Sequence, residues 1–345
     1  MHCCCLQERM STNINVSFTS MIPRQYILSL LFIVIMVLGA PLGRGVFVPI
    51  PTFFKDNEDL DFDSLEKHIH HLSKKGLAGI ILLGSNGEAI HLSSAERQQV
   101  IIKGCEYVKK YDPSLKVIAG ASAGSARVTI ELAKQATDAG AEYVMVLPPC
   151  YYRANMDNEA IESFFTCVAD QSPVPVVIYN YPGVTQGVDI TVQSIEKLAK
   201  HKNIVGIKGT DGNMGKIGYL GARIKPEDNF SLLAGSGSFF LPALTMGAVG
   251  LVPALGNVAP RACVELQRLF DQGKLEAAKT LQQQLVESDD ALVRWYGNPG
   301  VKAAMNYVLG WGGQPRCPLR LPSKDKIERI VDAISAALVI ENSLS

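Results

Sequence analysis

Eight short runs of aliphatic and β-branched residues recur along this chain, at residues 46–52, 78–83, 117–121, 143–147, 174–179, 204–208, 231–234 and 248–253. Stretches with helical spacing separate them. The β-branched run Ile204, Val205, Ile207 has the density of a strand covered on both faces, as in a parallel sheet, and the first run is a strand interrupted by prolines. A capping-box pattern, Asp63-Ser64-Leu65-Glu66, precedes Leu65, Ile69 and Leu72 at helical spacing, and a second, Ser93-Ser94-Ala95-Glu96, opens the next helix. Strand and helix alternating eight times predict a closed (β/α)8 TIM barrel. An open dinucleotide-binding sheet is disfavoured because no G-x-G-x-x-G follows the first run.

The barrel is expected over residues 44–260. Helical segments at 263–272, 275–286 and 324–339 exceed what a bare barrel needs, so residues 261–345 read as a C-terminal helical extension. Residues 1–43 form a hydrophobic prefix of different character. Its apolar run, residues 26–42, lies between Arg24 and Arg44 and is short for a membrane span. It reads as a secretory or anchor segment, a helix packed on the body, or an extension outside the native protein. The last is favoured because the body resembles a soluble, cytoplasmic enzyme; membrane contact is expected only if residues 26–42 are a genuine anchor.

Several function classes are excluded by composition. Lysine plus arginine equals aspartate plus glutamate, 33 each, which argues against nucleic-acid binding by bulk charge. None of the eight cysteines forms a C-x-x-C pair, and the six histidines have no H-x-x-x-H spacing, so neither a disulfide framework nor a metal site is indicated.

The chemistry of such a barrel gathers where strands feed their following loops. Those ends carry Thr52, Ser85-Asn86, Ala121-Ser122, Tyr151-Tyr152, Tyr179, Lys208, Gly235-Ser236-Gly237 and residues 254–257. Lys208 ends the run Ile204-Val205-Gly206-Ile207. By strict alternation it shares the inward face with Gly206 and Ile204. Burial there disfavours the ammonium form and leaves an amine able to condense with a ketone. A solvated or carboxylate-paired lysine is the commoner fate of such a position. No histidine falls at a strand end, which leaves a Ser-His-Asp triad unsupported.

Three motifs carry a resemblance: Gly84-Ser85-Asn86-Gly87-Glu88, Tyr179-Asn180-Tyr181-Pro182 and Gly206-Ile207-Lys208-Gly209-Thr210, in order on strands two, five and six. The chain resembles the dihydrodipicolinate synthase / N-acetylneuraminate lyase family of class I pyruvate aldolases over roughly residues 44–322. With Pro149-Cys150-Tyr151-Tyr152-Arg153, it is most similar to 4-hydroxy-2-oxoglutarate aldolases and fungal deoxyhexulosonate aldolases. The resemblance implies a cofactor-free and metal-free lyase acting on a small oxo acid, and a homo-oligomer (dimer or tetramer). It implies Lys208 as the Schiff-base lysine, Tyr179 as the proton carrier, and Ser85 and Asn86, with backbone such as Gly209, as the carboxylate cradle. Ser85 would link Tyr179 to Tyr151 of a neighbouring subunit. From the residues themselves, Gly235-Ser236-Gly237 reads as a site for the distal end of the substrate or a phosphate, or as a plain tight turn, and Glu88 as a structural carboxylate.

One departure narrows the substrate. Dihydrodipicolinate synthases carry an arginine shortly after the Y-N-x-P turn, and Gly183-Val184-Thr185-Gln186-Gly187 has none. Retro-aldol cleavage of a 4-hydroxy-2-oxo acid or 2-keto-3-deoxy sugar acid to pyruvate and an aldehyde is the leading expectation. A sugar-acid dehydratase, a dihydrodipicolinate synthase and a catalytically silent barrel are the alternatives.

Overall fold

A computed structural model describes residues 42–344. The expectations for residues 1–41 fall outside the described part. Eight strands, β1 (Gly45–Pro49), β2 (Gly79–Leu82), β3 (Lys116–Gly120), β4 (Tyr143–Val146), β5 (Val176–Asn180), β6 (Ile204–Gly209), β7 (Ser231–Ala234) and β8 (Gly250–Leu251), close into a barrel in sequence order. All pairings are parallel, and β8 returns to β1 with Gly45 opposite Gly250. The barrel expected from the apolar runs is the one observed.

Alternation along each strand divides the core into two layers. Phe47, Ile81, Ile118, Met145, Val177 and Leu233 fill the barrel interior. Val48, Ile80, Val144, Ile178 and Leu232 belong to the layer between strands and helices. Strand β6 departs from strict alternation. Val176 pairs with Ile204 but the next residue, Val177, pairs with Gly206, so a bulge leaves Val205 as the extra residue. Val205 packs inside and Ile204 outside, the reverse of the expectation for Ile204. Beyond the bulge the register recovers and sets Lys208 opposite Tyr179.

The helices are α1 (Phe62–Leu72), α2 (Ser94–Tyr111), α3 (Ala126–Asp138), α4 (Asn158–Gln171), α5 (Val192–Leu198), α6 (Met214–Arg223), α7 (Phe240–Thr245), α8 (Pro260–Asp271), α9 (Leu275–Asp290), α10 (Gly297–Leu309) and α11 (Lys324–Ser343). Ser93 and Glu96 form the expected capping box of α2. Helix α1 is capped two residues earlier than expected, by Asp61, which accepts from the Ser64 N–H at 3.1 Å. Helix α8 packs against β1 and α7, so it belongs to the ring around the barrel, and the boundary drawn at 260/261 runs through its first turn. Helices α9 to α11 pack on one another beyond the ring. Among the described residues, no helix is long and apolar enough to cross a membrane.

One buried ion pair ties this helical addition to the barrel. Lys302 of α10 reaches Glu88, in the loop after β2, at 2.7 Å, with side chains 0% and 1% exposed. Glu88 also accepts from the Arg316 N–H at 2.9 Å and lies 3.0 Å from His91 Nδ1. The expected structural role of Glu88 therefore has partners from three parts of the chain.

Candidate active site

The loop after β2 is strained and held. Leu83 and Glu88 both adopt left-handed backbone conformations, with φ of 57° and 49°. Between them Gly87 lies so close to Leu83 that an added Cβ would fall 2.7 Å from its backbone nitrogen. Thr52 donates to the Gly87 carbonyl at 2.6 Å, and the Glu88–Lys302 pair fixes the far end. This frame presents Ser85 and Asn86 at the barrel mouth. The Asn86 amide is oriented by donation to the Pro49 carbonyl at 3.3 Å.

Lys208 faces the barrel interior and is 4% exposed. Its Nζ lies 4.1 Å from the centroid of the Tyr179 ring. Burial pulls its pKa down to about 7, against the opposing pull of the Asp289 carboxylate. Tyr179, 3% exposed, is pushed up to about 12 by burial, with Ser85 acting in the other direction. Its hydroxyl is 3.3 Å from Ser85 Oγ, long for a hydroxyl pair but within reach of a small adjustment. Tyr181 stacks on Tyr179 with centroids 5.8 Å apart.

A network below these groups holds the loops after β5 and β6. Lys216 of α6 bridges Asp189 and Asp211, the latter at 2.7 Å. Asn180 donates to the same two carboxylates at 2.8 and 3.1 Å, and its carbonyl oxygen accepts from the Ile190 N–H at 3.0 Å. Sequence reasoning found Asn180 through its motif but missed Asp189 and Lys216. Their only signal is the fold, which brings residues 180, 189, 211 and 216 together.

Lys208, Tyr179, Ser85, Asn86 and Gly235 line one cavity of about 170 Å³ at the C-terminal ends of the strands. Gly235 is confined to glycine, since a Cβ would fall 1.9 Å from Thr210 Oγ1. Three expected site residues are not brought there. Ser236 is 2% exposed, and its hydroxyl donates to Asp289, a fully buried carboxylate of α9. Gly209 follows Lys208 on the strand, points to the other side and gives its carbonyl to the Gly235 N–H at 2.7 Å. Tyr151 is 78% exposed, edge-on to Tyr152, and does not line this chain's own cavity.

The cavity is completed by residues that motif reading passed over. Leu292 and Val293, in a five-residue π turn (Ala291–Trp295), and Gly297 and Asn298, at the start of α10, form part of its wall. Val184 lines it from the segment where an arginine was noted as missing. A larger depression of about 470 Å³ involves Lys67, His70, His71, Arg261 and Trp311 but shares no residue with the strand ends, so size alone does not locate the chemistry.

Comparison with known proteins places this arrangement. Residues 43–337 match the profile of the dihydrodipicolinate synthetase family. The protein named "probable 4-hydroxy-2-oxoglutarate aldolase, mitochondrial" from Emericella nidulans is 39% identical over 305 residues, covering 88% of this chain and 98% of that one. An L-threo-3-deoxy-hexylosonate aldolase from Hypocrea jecorina is 39% identical over 311 residues with the same coverage. Among solved structures, a dihydrodipicolinate synthase family protein from Coccidioides immitis superposes with a TM-score of 0.79 at 31% identity, covering 89% of this chain and all of the other. The match to the family profile spans barrel and helical addition alike, and the relatives align over nearly their whole length: the chain belongs to the dihydrodipicolinate synthetase family.

Proposed function

We propose that this protein is a class I carbon–carbon lyase that cleaves a 4-hydroxy-2-oxo acid to pyruvate and an aldehyde. The observation that carries the reading is the Lys208 amine, held near neutrality by burial and seated on the Tyr179 ring. Lys208 Nζ attacks the C2 carbonyl to give a carbinolamine. Tyr179, a phenol at rest, protonates the carbinolamine hydroxyl, which leaves as water as the iminium forms. The phenolate so produced takes the proton of the C4 hydroxyl. The C3–C4 bond breaks, its electrons pass into the iminium as an enamine, and the aldehyde departs. Protonation at C3 and addition of water then release pyruvate and restore the amine. Ser85 and Asn86 hold the C1 carboxylate throughout, where fixed donors lower the barrier without reorganising.

The relatives at 38–39% identity are named as aldolases, which supports this reading, while others at 32–34% include 4-hydroxy-tetrahydrodipicolinate synthases. Assembly into a homo-oligomer is part of it: the exposed Tyr151–Tyr152 pair would complete a partner's site. Oligomer formation is not universal in this fold, since one solved relative, 28% identical with a TM-score of 0.80, is described as a monomeric variant. The cysteines among the described residues are unpaired, which fits a reducing compartment. The cytoplasmic expectation widens to cytoplasm or mitochondrion, because the Emericella relative carries a mitochondrial designation. The test is a panel of 2-keto-3-deoxy sugar acids and 4-hydroxy-2-oxoglutarate. Pyruvate and aldehyde should appear in equal amounts with at least one substrate; loss of water without an aldehyde would identify a dehydratase instead.

A further inference from the structure

The cavity has a reacting wall, formed by Lys208, Tyr179, Ser85 and Asn86, and a second wall formed by Val184, Leu292, Val293, Gly297 and Asn298. That second wall is apolar apart from Asn298. Apart from Lys208, no basic side chain lines this cavity among the described residues. Arg294 follows Val293 in sequence, but its guanidinium is paired with Asp290 at 2.8 Å, and it is not among the lining residues.

Two residues lining the cavity carry buried polar atoms without a hydrogen-bond partner, Thr210 at Oγ1 and Asn298. The Asn298 amide nitrogen and amide oxygen are both sealed from solvent, and neither has a hydrogen-bond partner. A side-chain amide offers two donors and two acceptor sites, and a buried one is ordinarily satisfied. Its position is not slack. Lys302 lies four residues on, along the same face of α10, where it is anchored by Glu88. The helix that carries Asn298 is thus clamped to the loop that carries Ser85 and Asn86.

We propose that Asn298 is a specificity-determining residue that reads a hydroxyl on the part of the substrate beyond C4, selecting a neutral polyhydroxylated tail over a second carboxylate. The assignment rests on the retro-aldol reading and adds the substrate class to it. A hydroxyl both donates and accepts, so one hydroxyl or a vicinal pair engages both amide atoms. A carboxylate only accepts, so it would leave the amide oxygen unpaired or facing a like charge. It would also be stripped of water against Val184, Leu292 and Val293, a wall that itself carries no cation, the nearby Arg294 being paired with Asp290. The favoured substrate is therefore a 2-keto-3-deoxy sugar acid of five or six carbons, with 4-hydroxy-2-oxoglutarate the poorer one.

The experiment uses the full chain and measures kcat/KM for pyruvate release from a six-carbon 2-keto-3-deoxy sugar acid and from 4-hydroxy-2-oxoglutarate. Wild type, Asn298→Leu and the isosteric Asn298→Asp are compared, with borohydride trapping of pyruvate as a measure of imine chemistry that needs no tail. Wild type should favour the sugar acid by about tenfold or more. Asn298→Leu should lose about tenfold to a hundredfold on the sugar acid, mainly through KM, with less than about threefold change on the dicarboxylate and unchanged trapping. Asn298→Asp keeps shape but not the donors, and should lose the sugar acid in the same way; it carries the test if the leucine variant does not fold. Equal losses on both substrates, no loss on either, or a wild-type preference for the dicarboxylate would each overturn the assignment while trapping persists. Failure of wild type to trap pyruvate at all would overturn the aldolase reading beneath it.

Discussion

Replacing Lys302 by methionine tests how the helical addition supports the site. The substitution leaves Glu88, 2% exposed, as a buried carboxylate without its cation. Breaking a buried pair from one side costs about 3–5 kcal/mol. Two features pull this case toward the low end. Glu88 keeps the Arg316 N–H at 2.9 Å and His91 at 3.0 Å. Methionine also fills much of the volume of the lysine stem, although it loses the ammonium contact with the Phe54 ring, whose centroid is 4.5 Å from Lys302 Nζ. A loss of about 3 kcal/mol is expected, which at an m-value of about 3 kcal/mol/M lowers the urea midpoint by about 1 M. Because Glu88 closes the strained loop that presents Ser85 and Asn86, the KM for oxo acid should rise several-fold in the same variant. Adding Glu88→Gln removes the stranded charge and should restore at least half of the lost stability. A single variant that loses under about 1 kcal/mol, or a double variant no more stable than the single, would refute the reasoning.

Three further outcomes follow from the geometry. Lys208 has its pKa lowered from 10.5 to about 7, so its amine is neutral above that pH and protonated below it. The rate of pyruvate imine formation should rise with pH through about 7 and, at pH 5, fall about a hundredfold below its plateau; a midpoint near 10 would contradict the burial argument. Tyr179→Phe removes the hydroxyl beside Ser85 and should lower kcat by about 10²–10⁴, measured by coupled pyruvate detection, with the melting temperature little changed. Tyr151→Phe and Tyr152→Phe should separate the two exposed rings: the one that completes a partner's site lowers kcat without affecting assembly by light scattering, and no effect from either would remove the shared-site proposal.

The barrel was legible because both core layers are written in continuous apolar runs, which only a strand covered on both sides requires. The β6 bulge was not. Ile204 and Val205 are equally β-branched, and only the pairing with β5 decides which one turns inward. Lys208 survived that error because it lies beyond the bulge. Ser236 was left open between a substrate contact and a plain turn; its hydroxyl is claimed by Asp289, 53 residues away, and no local pattern announces such a partner. Helix α10 was missed because Gly297, Pro299 and Gly300 at its start are poor helix signals, although a proline early in a helix forgoes only a hydrogen bond that would be absent anyway. That oversight concealed Asn298 and Lys302 together.

The central claim concerns one amine and is tested by reduction. The protein is incubated with pyruvate and borohydride, digested, and its peptides weighed. The expected result is a single adduct, with the mass of pyruvate less one oxygen, on the peptide containing Lys208, and no adduct in Lys208→Met. An adduct on another lysine, or none in the wild-type protein, would contradict the account.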